Sequence, residues 1–185
     1  MTPREPTVKS VWLPEQSIIG NIYKQVDLSD AYAISLPAGT SHDPHVLARF
    51  VFSRRARWMD ALMGVRDAVV SVFGLKTSAK LGQADDAPSG ERISIFRVYQ
   101  VDAHEIILGE DDSHLDFRLS LLCLPAHETG GSYLVLSTVV HCHNALGRAY
   151  LRIIAPFHRL IVPAMLRRAA RSGWPHASEV ATPPE

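Results

Sequence analysis

Nine histidines fall in 185 residues, and their spacing is the first chemical signal in the chain. His141 and His143 stand two apart in an apolar run, so on a strand both rings point to one face. His114 and Asp116 do the same in the preceding run. If the two runs are hairpin neighbours, three imidazoles and a carboxylate could converge, a donor set suited to zinc or iron. His-x-His is also common by chance and register cannot be read from sequence, so no metal is assigned. Asp111 and Asp112 crowd the same turn. Carboxylates placed together raise one another's pKa and histidine titrates near neutrality, which permits acid–base work if the groups face a cavity. The competing reading is a solvated hairpin turn, which favours Asp and Ser, with Arg118 as a structural ion-pair partner. The catalytic candidates are therefore His114, Asp116, His141 and His143.

Four strands must position these residues, roughly Arg92–Val101, Glu105–Glu110, His114–Leu124 and Ser132–His143. Their short connections imply antiparallel neighbours, because a parallel crossover needs a dozen or more residues. In the third, Leu115, Phe117, Leu119 and Leu121 alternate with Asp116, Arg118 and Ser120, which predicts one buried and one wet face. An earlier strand spans Ala31 to Leu36 and closes at Pro37-Ala38-Gly39. Asp43-Pro44 starts a short helix to about Phe52, Asp as the cap and Pro in the first turn. A second helix is expected from about Arg54 to Phe73, with Trp58, Leu62 and Val65 on its apolar face. Gly74 stops it, Lys76 follows, and Thr77 to Gly90 is a loop long enough to act as a lid.

The last element is a long helix over Ala145–Ala170 with two internal prolines, Pro156 and Pro163. The sequence predicts an apolar stripe of Leu146, Tyr150, Ile153, Phe157, Ile161 and Ala164, with Arg148, Arg152 and Arg159 opposite. Two prolines on the solvent side would bend the helix around the body. Residues 1–28 read as an irregular segment, 29–173 as a single domain and 174–185 as a mobile tail.

Composition narrows the partners. Lys plus Arg and Asp plus Glu are 19 each, so bulk charge points to no polyanion. The charges are unevenly placed: six Arg residues and no acidic residue lie between Glu128 and Glu179. That Arg face carries no interleaved aromatics, which argues against nucleic acid. No apolar run reaches the roughly 18 residues of a membrane span, and no signal peptide is read at the N-terminus. A cytoplasmic location is the expectation, with Cys123 and Cys142 as buried, unbridged thiols. No phosphate loop, nucleophile elbow or dinucleotide motif occurs, so no cofactor is expected.

The order strand, two helices, strand hairpins, long helix resembles the helix-grip layout of the START and polyketide-cyclase-like superfamily. That resemblance implies an α+β fold: a curved antiparallel β-sheet packed on a long, kinked C-terminal helix plus two shorter helices. Three stretches resemble a mostly bacterial family known as domain of unknown function 2867. They are Arg57-Trp58 to Lys76-Thr77, Asp111-Asp112-Ser113-His114-Leu115-Asp116-Phe117-Arg118, and His143-Asn144 to Pro156-Phe157-His158-Arg159-Leu160-Ile161. Similar domains follow nucleotide-binding reductase-like domains, but no such partner is read in these residues and the resemblance implies no activity.

The leading expectation is a module that binds a small apolar or amphipathic molecule between sheet and helix. Trp58, Leu62, Phe117, Leu119, Tyr150, Phe157 and Ile161 would line the cavity, with Lys76 at its mouth. The alternatives are an enzyme using the same cavity and a partner-binding protein using the Arg-rich helix.

Overall fold

A computed structural model describes residues 6–53, 91–125 and 131–177 of the chain. The expected second helix, the loop after it, and Trp58, Leu62 and Lys76 lie outside the described residues. Seven strands form one antiparallel sheet in the order β1-β2-β7-β6-β5-β4-β3. They are β1 (Val8–Val11), β2 (Leu28–Leu36), β3 (Arg92–Ile93), β4 (Phe96–Val101), β5 (Glu105–Asp111), β6 (Leu115–Pro125) and β7 (Ser132–Cys142). Two helices are described, α1 (Pro44–Ser53) and α2 (Ala145–Arg171). The α+β, helix-grip-like layout stands: a curved antiparallel sheet with a long C-terminal helix against it.

The eleven-residue strands β6 and β7 are the centre, paired along their whole length from Leu115↔Cys142 to Pro125↔Ser132. Both α1 and α2 contribute to the main core on the inner face, where Leu47, Ala48 and Val51 meet Val162, Met165, Leu166, Leu121 and Leu136. Asp43 caps α1 by accepting from the His45 and Val46 amides at 2.8 and 3.2 Å. Asn144 caps α2 by accepting from Gly147 N–H at 2.9 Å. Gly147 has no alternative there, since a Cβ would sit 2.1 Å from the His114 carbonyl oxygen. That contact pins the first turn of α2 to the β5–β6 turn. Cys123 and Cys142 are buried and unbridged.

Several expectations are corrected. The segment read as irregular supplies an edge strand, β1, and a 3-10 turn at Ile18–Asn21. Three of the four β1 residues are exposed, so it carries almost no alternation to read. The second face of β6 is not wet: Arg118, Ser120 and Leu122 are buried on it, and Ile19 of the turn packs there with Ile107 and Val139. The tail is docked as far as it is described, with Trp174 buried against Phe50 and Ala177 N–H bonded to Gly39 O at 3.0 Å.

The last helix is continuous over 27 residues with its Arg side outward, but its inward face is Gly147, Tyr150, Val162, Met165, Leu166 and Ala169. The stripe predicted from sequence is turned from this by about one residue, or about 100°. Ile153 and Phe157 are exposed. Pro156 is exposed and Pro163 buried, so the two do not share the solvent side. Apolar residues cover more than half the circumference of α2, and a stripe that wide does not mark its own centre.

Candidate functional site

Under the middle of α2 the inner face changes character. Register aligns Asp30 of β2 with Thr138 of β7, Leu119 of β6, Leu108 of β5 and Val98 of β4 in one row across the sheet. The row is polar at the α2 end and apolar at the other. His158 reaches down from α2, its Nε2 3.2 Å from Asp30 Oδ1 and 3.1 Å from Thr138 Oγ1. The Asp30 side chain is 12% exposed and that of His158 22%.

Asp30 Oδ2 is buried and has no partner among the described residues. A buried acceptor left unpaired costs about 1–3 kcal/mol, and more when charged. Native structures account for such atoms with water, an ion or a ligand. Beside it the Tyr32 phenol is held above its ordinary pKa, first by burial and then by the Asp30 charge, with Arg159 opposing.

Apolar groups flank this spot on both sides. Toward the start of α2, Tyr150 packs with Leu115, Val140 and Cys142; toward its end lies the main core. Phe117 packs on both clusters and is only half-buried. It continues an edge-to-face series, Phe52–Phe96 at 5.1 Å and Phe96–Phe117 at 5.9 Å. The arrangement offers an acceptor for a hydroxyl or amine beside an aromatic wall.

The outer face holds most of the residues singled out from sequence. His143 Nε2 is 3.0 Å from Asp116 Oδ1, and the His141 and His143 rings are 5.1 Å apart. His141 Nδ1 lies 3.0 Å from the Gln25 carbonyl oxygen. His114 is not with them; it is buried, edge-on to Tyr150 at 5.7 Å, on the α2 side. The structure therefore brings Asp116, His141 and His143 together and sets His114 apart. Among the described residues, no group of three or more His, Cys, Asp or Glu is placed to hold a metal ion.

Next to these, Arg118 lies 3.6 Å over the Tyr99 ring and donates to Asp111 Oδ1 at 2.7 Å. Tyr99 is presented there by a register shift between Val98 and Gln100, and its phenol donates to Asp111 Oδ2 at 2.9 Å. Burial and that bond push the Tyr99 pKa up to about 12. Gly109, the partner of Arg118, leaves room for this side chain, since a Cβ would meet Arg118 Cδ at 2.9 Å. Farther along, the buried Glu105 carboxylate accepts from Ser17, from Ser120, and from Ile18 N–H at 3.1 Å.

Of the lining residues expected from sequence, Leu119 and Tyr150 are core, Phe117 and Ile161 are half-buried, and Phe157 is on the exposed flank of α2. Asp30 and His158 were not picked out by sequence reasoning. The signal was a histidine in step with Tyr150 and Met165 at helical spacing, the row that faces the sheet. A cleft of about 360 Å³ opens elsewhere, between Pro37–Thr40, His42, Gly131, Ser132 and Ala177. In it His42 Nε2 is 2.9 Å from Ser132 Oγ.

The family described as protein of unknown function (DUF2867) matches residues 22–165. The chain belongs to that family. The DUF2867 match takes in Asp30, Thr138 and His158 and leaves out Ser17, β1 and the end of α2. No curated protein and no solved structure matches the chain.

Proposed function

We propose that this DUF2867 domain binds a small amphipathic molecule between the sheet and α2. A hydroxyl or amine head would donate to Asp30, and an apolar body would lie toward Phe117. The observation that carries the reading is Asp30 Oδ2, buried and without a partner among the described residues, between two apolar clusters. A ligand donor would satisfy that oxygen, and His158 and Thr138 hold the other one in place. A carboxylate head would meet like charge there and be rejected.

The acid–base alternative receives less support, because its four candidates are divided between the two faces of the sheet. Calorimetric titration with decan-1-ol, decylamine and decanoate tests the proposal. Saturable one-to-one binding of the first two, weak binding of the third and loss of this preference in Asp30→Asn are expected. Equal binding of all three, or none of any, contradicts it.

A further inference from the structure

The face of α2 turned away from the sheet is divided lengthwise. Going round the helix at about 100° per residue from the sheet-facing His158, one flank carries Arg148, Arg152 and Arg159. The other carries Ile153, Phe157 and Leu160. All six are exposed, Leu160 by 65%. Single apolar residues at a surface need no explanation. These three stand at i, i+4 and i+7, so they form one continuous ridge. Arg167, Arg168 and Arg171 are also exposed, but at the same 100° per residue they come round to the flank of the apolar ridge, beyond its C-terminal end. The exposed arginines are thus spread along about 35 Å of helix from Arg148 to Arg171, beside the ridge and past its end, with no acidic residue among them.

A small acidic ligand would engage only a few of these widely spread arginines, and a purely apolar partner would leave the guanidinium groups unmatched. A flat anionic surface with an apolar layer beneath takes both. The ridge enters the boundary between headgroups and acyl chains, and the arginines reach back to the phosphates. α2 is also long and apolar enough to cross a membrane by length and composition alone. Its opposite side, with Tyr150, Leu166 and Ala169 buried against the sheet, is already occupied. We propose that this face of α2 docks the protein onto an anionic lipid membrane, with the helix lying along the surface rather than crossing it. The docking surface is independent of ligand binding at Asp30.

The test is sedimentation of the whole protein with vesicles of equal phosphatidylglycerol and phosphatidylcholine, and with phosphatidylcholine alone. Binding at least tenfold stronger to the anionic vesicles, weakened by salt, is expected. Leu160→Glu and the pair Arg152→Glu with Arg159→Glu should each reduce it tenfold or more, and Lys9→Glu, on an edge strand, should not. Absence of binding to anionic vesicles overturns the proposal. So does binding indifferent to Leu160→Glu and abolished by soluble polyglutamate, which would mark an acidic protein as the occupant. A large fall in the unfolding midpoint of Leu160→Glu without lipid would show the ridge covered by the chain itself, and would equally overturn it.

Discussion

The two faces of the sheet treat buried charge in opposite ways. On the outer face two carboxylates are engaged through both oxygens: Glu105 takes two serine hydroxyls and a backbone amide, and Asp111 takes an arginine and a tyrosine. Among the described residues, the Tyr23 and Ser137 hydroxyls are buried there without a partner, and both are neutral. On the inner face Asp30 has one oxygen held by His158, and the other is buried without a partner among the described residues. A satisfied network rigidifies, whereas a half-satisfied one is costly unless something else completes it. The Glu105 set fastens the N-terminal segment through Ser17 and Ile18, and the inner set is where we propose that a ligand donates.

The largest effect should come from the packing that defines the inner face. Leu166→Ala should cost about 2–5 kcal/mol in denaturant unfolding, the range for a fully buried leucine. Phe157→Ala should cost under about 1 kcal/mol, as an exposed substitution. Equal losses would mean that α2 is turned the other way. Next, Glu105→Ala strands three donors and should cost about 2–3 kcal/mol, with faster amide exchange over residues 13–23. Asp30→Asn should change stability by less than about 1 kcal/mol, because it replaces an oxygen that has no partner among the described residues. Similar losses from the two would erase the contrast between the faces.

Two pH effects are smaller. Burial pushes the Cys123 and Cys142 thiols up to about 11 each. A pKa raised by folding stabilises fully below the unfolded value, about 8.5, and that contribution is lost as pH rises toward 11. The unfolding midpoint should therefore fall across that window, and thiol reagents should label the native protein slowly. Asp111 is held below its ordinary value; burial works against this, but the Arg118 and Tyr99 hydrogen bonds outweigh it. Its contribution is present above the unfolded value, about 3.9, and is lost as pH falls through the folded one. Asp111→Asn should flatten that part of the acid limb of the stability curve.

Much of the fold was legible because it rests on local rules. Alternation in Leu115–Leu121, the short turns at Asp102-Ala103-His104 and Asp111–Ser113, and the Asp43-Pro44 start each act within a few residues. β1 was illegible because an exposed edge strand has no buried face to imprint a pattern. The Ser17–Glu105–Ser120 cluster was illegible because its members are 88 and 15 residues apart and meet only through tertiary folding. The same holds for Asp30 and His158, 128 residues apart. His141 and His143 were correctly placed on one face, but sequence could not say which face. The segment covering the outer side of β6 was the missing fact.

The central claim is that ligand chemistry lies on the inner face, at Asp30. The most direct measurement is nuclear magnetic resonance of protein labelled in its His rings and Asp and Glu carboxyl carbons, titrated with decan-1-ol. The account predicts saturable shifts of the Asp30 carboxyl and His158 ring, with His141, His143 and Glu105 unmoved. Shifts confined to those outer-face groups, or an Asp30 signal unchanged at saturating decanol, would contradict it.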